Sequence, residues 1–261
     1  MERQPRETLE TVQRMVARLV ATSPAGEGLR LVGGLRYRLL DASCRASLDI
    51  DYHWDGDLER KRDEILGLLQ KKLLPEVRRL LGYDGSAQPL VGPDADSPSV
   101  KTIALALYRL DVAGSRVEIP VDITRIACLD APVVRTTGGT VYLTTSDADM
   151  AESKVIALVQ RVFTQDRDLL DLFLFHGALP TDARDRLKRK LATLAVARGD
   201  VEKRLLALRE SADVHARGVD RIIREQVDGP AAANLKAAGG GKMVCATVLQ
   251  VLDKLAGKAR R

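Results

Sequence analysis

The chain has 261 residues, 45% of them hydrophobic and 30% charged, enough to bury a sizeable core and unlike a disordered chain. Aromatic residues make up 3%, too few for a surface built on stacked bases, and three scattered cysteines without a Cys-x-x-Cys pair point to a reducing compartment. The net charge of +5 is uneven: Thr181 to Arg261 holds 18 Lys/Arg against 10 Asp/Glu and the remainder 23 against 26, so the basic surplus lies in the C-terminal third, where it suits a phosphate backbone. Leu9, Val12, Met15, Val16, Leu19 and Val20 recur every three or four residues and predict an amphipathic helix over Arg6 to Ala21, ended by Ser23-Pro24-Ala25-Gly26. Leu29 to Val32 reads as a short strand entering Gly33-Gly34, with a helix from Leu35 to Leu40.

The next strand carries Arg45-Ala46-Ser47-Leu48-Asp49-Ile50-Asp51. A period of two sets Arg45, Ser47, Asp49 and Asp51 on one face and Leu48, Ile50 and Tyr52 on the other. Carboxylates side by side repel one another and suit a hard divalent cation, which takes oxygen ligands from one or two carboxylates plus substrate phosphates. Gly33 and Gly34, lacking side chains, let backbone N–H groups approach a triphosphate, and a helix starting there adds its positive end.

A helical pattern from Leu58 to Leu81 follows, interrupted at Pro75, and Asp84 to Ser99 reads as a loop. Thr102 to Val112 and Arg116 to Ile126 are expected as strands joined at Ala113-Gly114-Ser115. In the second of them Val117, Ile119, Val121 and Ile123 alternate with Glu118, Pro120, Asp122 and Thr124, which makes Asp122 a third carboxylate for the same site. Glu118 shares that face but lies too far along the strand to share an ion. Val133 to Thr136 and Thr140 to Thr144 flank a Gly138-Gly139 hairpin turn.

A helix then opens at Ser146-Asp147, with Asp147 as the expected N-cap, and places Lys154 and Arg161 seven residues apart on one face that could meet a triphosphate. Asp168 lies about 21 Å further along an unbroken helix, so one site requires a turn at Thr164-Gln165-Asp166, with Thr164 or Asp166 capping a second helix from Arg167 to Phe175. Asp168 then either orients Lys154 or contacts the nucleotide. Further helices are expected over Asp185 to Ala197, Val201 to Glu225 and Met243 to Leu255, with Gly229 to Gly241 a flexible connector and Lys254 to Arg261 a frayed basic tail. Gly241-Lys242 lacks the spacing of a Walker loop. His53, His176 and His215 have no metal spacing; His53 falls on the carboxylate face, where a solvated or packed histidine is expected ahead of a substrate contact. No apolar run approaches the roughly 20 residues of a membrane span and the N-terminus is charged, so a cytoplasmic protein without membrane contact is expected.

The paired glycines and the Asp49-x-Asp51 strand resemble the signature of the DNA polymerase β-like nucleotidyltransferase superfamily. More closely, Arg45-x-Ser47-x-Asp49-Ile50-Asp51, the Lys154 to Arg161 helix and Arg167-Asp168-Leu169-Leu170-Asp171-Leu172 together resemble the AbiE-type toxin nucleotidyltransferases, the AbiEii/MenT family, over Leu31 to Leu172. The resemblance implies an α+β fold: a polymerase β-like core of mixed sheet and flanking helices over residues 1–145, and a basic helical domain over 146–261. It implies Mg²⁺, or Mn²⁺ in its place, held by Asp49, Asp51 and Asp122, with Lys154 and Asp168 also catalytic and Gly33, Gly34, Arg45, Ser47, Lys154 and Arg161 binding an NTP. It further implies a tRNA acceptor extended at its 3′ end so that it cannot be charged, a cognate antitoxin and a place in phage defence. Three positions depart from the family pattern: Val32 before the glycines, Leu35 after them, and Pro120 before Asp122. Transfer to a protein or small-molecule acceptor, and a silent RNA-binding protein of the same fold, are the alternative expectations.

Overall fold

The computed structural model describes residues 6–90, 99–112, 115–161 and 163–257. The fold is mixed α+β. Its first lobe takes in Met1–Ile126 and Pro132–Thr145; its second takes in Ala127–Ala131 and Ser146–Arg261.

The first lobe is built on a seven-stranded sheet of β1 (Arg30–Val32), β2 (Ile50–His53), β3 (Asp84–Pro89), β4 (Val100–Tyr108), β5 (Val117–Thr124), β6 (Val133–Thr137) and β7 (Thr140–Thr144). The strand order is β3-β4-β5-β2-β1-β7-β6. β2 runs parallel to β5 and β1 parallel to β7, the other neighbours being antiparallel. One sheet face is closed by α1 (Arg6–Ala21), α3 (Leu58–Leu68) and α4 (Leu74–Leu81), whose Val12, Val16, Ile65 and Val77 join Ile50, Tyr52, Val121 and Ile123 in a single core. That burial is the main stabilising term, of order 1.5–3 kcal/mol for each large aliphatic side chain. β5 keeps the expected alternation, with Val117, Ile119, Val121 and Ile123 buried.

In this lobe two expectations change and two hold in more detail. The chain over Arg45 to Asp49 is not strand; β2 starts at Ile50, and Leu48 is 44% exposed rather than packed beneath it. The stretch read as a loop opens as strand β3, because its small residues suit an edge: a Cβ at Gly85 would lie 2.5 Å from the Leu107 side chain of β4. The helix over Leu58 to Leu81 is divided by a π-helical segment, Leu69–Leu73, just ahead of Pro75, whose missing N–H and ring a regular helix cannot absorb. Pro120 fits within β5 because β2 pairs with that strand only from Val121 onward. The Ala113-Gly114 turn, residues 91–98 of the expected loop, and residues 258–261 of the basic tail lie outside the described residues. The Gly138-Gly139 turn forms as expected, its φ angles of +54° and +75° being those of a two-residue hairpin.

The second lobe is helical: α5 (Asp147–Gln160), α6 (Asp166–Phe175), α7 (Ala183–Thr193), α8 (Arg198–Glu210), α9 (Ala212–Gln226), α10 (Gly229–Ala237) and α11 (Gly240–Ala256). The expected flexible connector is α10, with Pro230 in its first turn, where a missing N–H costs nothing. The long helix from Val201 divides at Ser211, and Gly199-Asp200, expected to separate two helices, sits in the first turn of α8. Ser146, not Asp147, caps α5, accepting the Asp149 N–H at 3.0 Å. Gln165 stands at the cap of α6, and Asp166 instead binds His215 at 2.7 Å.

Asp149 of α5 holds the lobe's buried ionic centre. Its carboxylate accepts the backbone N–H of Leu129 and Asp130 at 3.0 Å each, and pairs with Lys190 at 2.6 Å and Arg186 at 3.1 Å. Glu152 binds the same two cations, both at 2.6 Å. Asp149, Glu152 and Lys190 are all 0% exposed. Hydrogen bonds from Arg186 and from Ser146 hold the Asp130 carboxyl below the ordinary aspartate range. Among the described residues, no helix is long and apolar enough to cross a membrane.

Candidate active site

α2 (Gly33–Leu40) follows β1 without a linker. Gly33 has φ +71°, a backbone state that costs other residues about 1–2 kcal/mol. Its Cα also lies under the Asp51 carboxylate: a Cβ there would come 1.9 Å from Asp51 Oδ2. Gly34 is equally confined, with Ser47 Oγ at 2.6 Å and an Arg45 guanidinium nitrogen at 2.7 Å from the Cβ it lacks. Gly33, Gly34, Arg45, Ser47 and Asp51 are therefore brought together as expected. The N-cap of α2 is Val32, which offers no side-chain acceptor, so the first N–H groups of the helix are not capped by it. Leu35, one of the departures, is 2% exposed and belongs to the core, so it has no place at a phosphate.

The carboxylates are set by strand register. Asp51 pairs with Val32 of β1 on one side and with Asp122 of parallel β5 on the other, and Asp122 in turn pairs with Thr102 of β4. Paired residues of neighbouring strands share a face at a strand spacing of about 4.8 Å. Asp51 and Asp122 thus stand side by side. Thr102 Oγ1 donates to Asp122 Oδ1 at 2.6 Å, and Ser47 Oγ donates to Asp49 Oδ1 at 2.8 Å. Ser47 is 0% exposed, and its hydroxyl is engaged with the Asp49 carboxylate. Arg45 is buried too, and its guanidinium donates to the Ala46 carbonyl at 2.9 Å. Glu118 is exposed on β5 and binds Arg116 at 2.6 Å, apart from the three aspartates.

Asp49, Asp51 and Asp122 are half-buried hard oxygen donors, and the missing side chain of Gly33 leaves room for the Asp51 carboxylate. That donor set fits Mg²⁺ or Mn²⁺. Among the described residues no three His, Cys, Asp or Glu side chains form a ready-made cage, so phosphate oxygens would have to complete the shell. Gly33→Ala is expected to cost about 1–2 kcal/mol by urea unfolding from backbone strain alone, and to displace Asp51 besides.

His53 closes β2 and is packed inside the lobe. Its ring is buried, with Nδ1 accepting the Ile126 N–H at 3.0 Å, and burial keeps its pKa below the usual histidine value.

The second lobe carries its own constellation. Lys154 of α5 places Nζ 3.0 Å from Asp168 Oδ1 and 2.9 Å from Asp171 Oδ2, both carboxylates on α6 and at most 2% exposed. Asp168 is thus ion-paired to Lys154, the contact that an orienting role requires. Arg161 lies past the end of α5, leaves the helix, and returns to Asp168 Oδ2, so it does not share a helix face with Lys154. Its guanidinium remains 44% exposed. Two cations and two carboxylates make this cluster electrically balanced, which differs from a pair of unengaged cations. Asp171 is the residue that sequence reasoning did not assign to the site. Its signal was the three-residue spacing from Asp168, which puts both on one helix face.

No protein-family model matches the chain, and no curated protein sequence matches it. Solved structures do. A Helicobacter pylori protein described as a candidate nucleotidyltransferase superposes with a TM-score of 0.58 at 16% identity, covering 100% of both chains. The nucleotidyltransferase toxin MenT4 of Mycobacterium tuberculosis H37Rv superposes with a TM-score of 0.54 at 15% identity, over 98% of this chain and 89% of that one. JHP933 of Helicobacter pylori gives 0.51 at 14% identity, over 99% and 94%. The fold of this chain is that of the nucleotidyltransferases.

Proposed function

We propose that this chain is a Mg²⁺-dependent nucleotidyltransferase toxin that adds a nucleotide from an NTP to the 3′ end of tRNA, blocking aminoacylation, and that a cognate antitoxin restrains it. The reading is carried by one observation: the register that sets Asp51 beside Asp122, with Gly33 shaped to the Asp51 carboxylate.

Asp49, Asp51 and Asp122 are the residues that would hold the ion. When bound, Mg²⁺, or Mn²⁺, neutralises phosphate charge and lowers the pKa of an attacking hydroxyl. The chain supplies positioning. Ser47 and Thr102 fix two of the carboxylates by hydrogen bonds, so that little reorganisation is left for the reaction. The uncapped first turn of α2 offers backbone N–H donors and the positive helix end to phosphate oxygens. The reaction so served is attack of an acceptor hydroxyl on the α-phosphorus, with pyrophosphate leaving.

In the second lobe Asp168 and Asp171 hold Lys154 in place, and Arg161 offers an exposed planar donor suited to phosphate. The exposed Arg184, Lys188, Arg189, Lys203, Arg217 and Arg221 of α7, α8 and α9 favour a polyanionic acceptor over a protein or a small molecule. The fold shared with MenT4, described as a nucleotidyltransferase toxin, supports the toxin class and with it an antitoxin partner; a place in phage defence rests on the sequence motifs alone.

The acceptor is tested by incubating total tRNA with the protein, NTP and Mg²⁺ and then measuring aminoacylation. Charging is expected to fall, and tRNA whose 3′ terminal ribose has been oxidised with periodate should take no nucleotide. Label appearing on protein or on a small acceptor, with tRNA still chargeable, would replace the tRNA reading with transfer to that acceptor.

A further inference from the structure

We infer that Gln13 is a positioning residue for the ion site, fixing from α1 the backbone that carries Asp49. The inference rests on the reading of Asp49, Asp51 and Asp122 as the ion-holding set.

Gln13 lies on the buried face of α1 among Leu9, Val12, Val16 and Ala17, and is 1% exposed. Its Nε2 donates to the backbone carbonyl of Ser47 at 3.1 Å and to that of Asp49 at 3.4 Å. Its Oε1 is fully buried with no hydrogen-bond partner among the described residues. A buried amide with an orphaned oxygen is less stable than an aliphatic residue of the same size would be. Packing therefore does not explain a glutamine at this position.

The strand geometry does. Asp51 and Asp122 are held by paired strands, whereas Asp49 precedes β2, whose ladder with β5 begins at Ile50. Ser47 fixes the Asp49 side chain. Gln13 fixes its main chain. The same amide also holds the carbonyl of Ser47, so the hydroxyl that orients Asp49 is anchored by the same contact. Where Asp49 stands relative to the two sheet-borne carboxylates thus depends on a residue 36 positions earlier. Hydrogen-bond partners one step removed from an ion commonly set its affinity or the activity within about 10–100-fold.

The test is Mn²⁺ binding to the full chain, followed by electron paramagnetic resonance in the presence of a non-hydrolysable NTP analogue, so that no turnover is needed. Gln13→Met keeps the volume and removes the donor. It is expected to raise the Mn²⁺ Kd by about tenfold or more, with an unchanged or higher Tm. Val12→Ala, a packing loss on the same helix face, is expected to lower Tm and leave the Kd alone. Gln13→Met with a wild-type Kd, or with a lowered Tm and the Val12→Ala pattern, would overturn the inference while leaving the ion site intact. A wild-type chain that binds no Mn²⁺ would overturn the ion-site reading itself.

Discussion

Asp51→Asn is expected to reduce nucleotide transfer by roughly 10³-fold, about 4 kcal/mol of transition-state stabilisation, while the protein stays folded. Asparagine keeps the shape that packs against Gly33, so the Cα approach there is undisturbed. It removes the charge on which an ion depends. It also removes a like-charge neighbour of Asp122 on the adjacent strand, so Tm should hold or rise. Single-turnover transfer at saturating Mg²⁺ gives the rate and differential scanning calorimetry the stability. A variant as active as wild type would remove Asp51 from the chemistry, and a variant that unfolds would make its role structural.

Lys190→Met is expected to produce the largest loss of stability, about 3–5 kcal/mol, because it strips one of two cations from Asp149 and Glu152 in a site with 0% exposure. Arg186 already contacts both carboxylates and Asp130 as well, so it has no further donor to replace the lost cation. The double change Asp149→Ala/Lys190→Met should recover less than the sum of its parts suggests, since Asp149 also caps the N–H groups of Leu129 and Asp130. Urea denaturation, with far-ultraviolet dichroism reporting the helices, measures both variants. A loss below about 1 kcal/mol would mean that water reaches the cluster and that it is not the buried lock its geometry describes.

What was legible in the sequence was whatever depended on local period. Alternation in Val117 to Thr124 gave both the core face and Asp122, and the glycines announced themselves because Gly33 and Gly34 have no tolerated substitute beside Asp51 and Ser47. Register turned these into a site, and register is not local. That Asp51 pairs with Asp122 is decided by a sheet assembled from distant segments. β3 was missed because the edge position of Asp84-Gly85-Ser86-Ala87-Gln88-Pro89 tolerates residues that read as loop. α10 was missed because Ala-rich sequence between glycines has helix propensity without an apolar stripe to reveal it. Asp171 and Gln13 share a cause of a third kind. Each acts through a tertiary partner, Lys154 in one case and the Ser47 and Asp49 carbonyls in the other; spacing puts Asp171 on the Asp168 face of α6 but does not name Lys154 as its partner, and nothing local marks Gln13.

Nucleotidyl transfer is tested most directly by transfer of label from each of the four α-labelled NTPs, with Mg²⁺, to total tRNA, comparing wild type with Asp49→Ala/Asp51→Ala. Labelled tRNA with at least one nucleotide, absent in the double variant, is the predicted result. Equal labelling by the two proteins, or none by either on any acceptor while salt-sensitive RNA binding persists, would contradict it and leave a binding protein built on a nucleotidyltransferase fold.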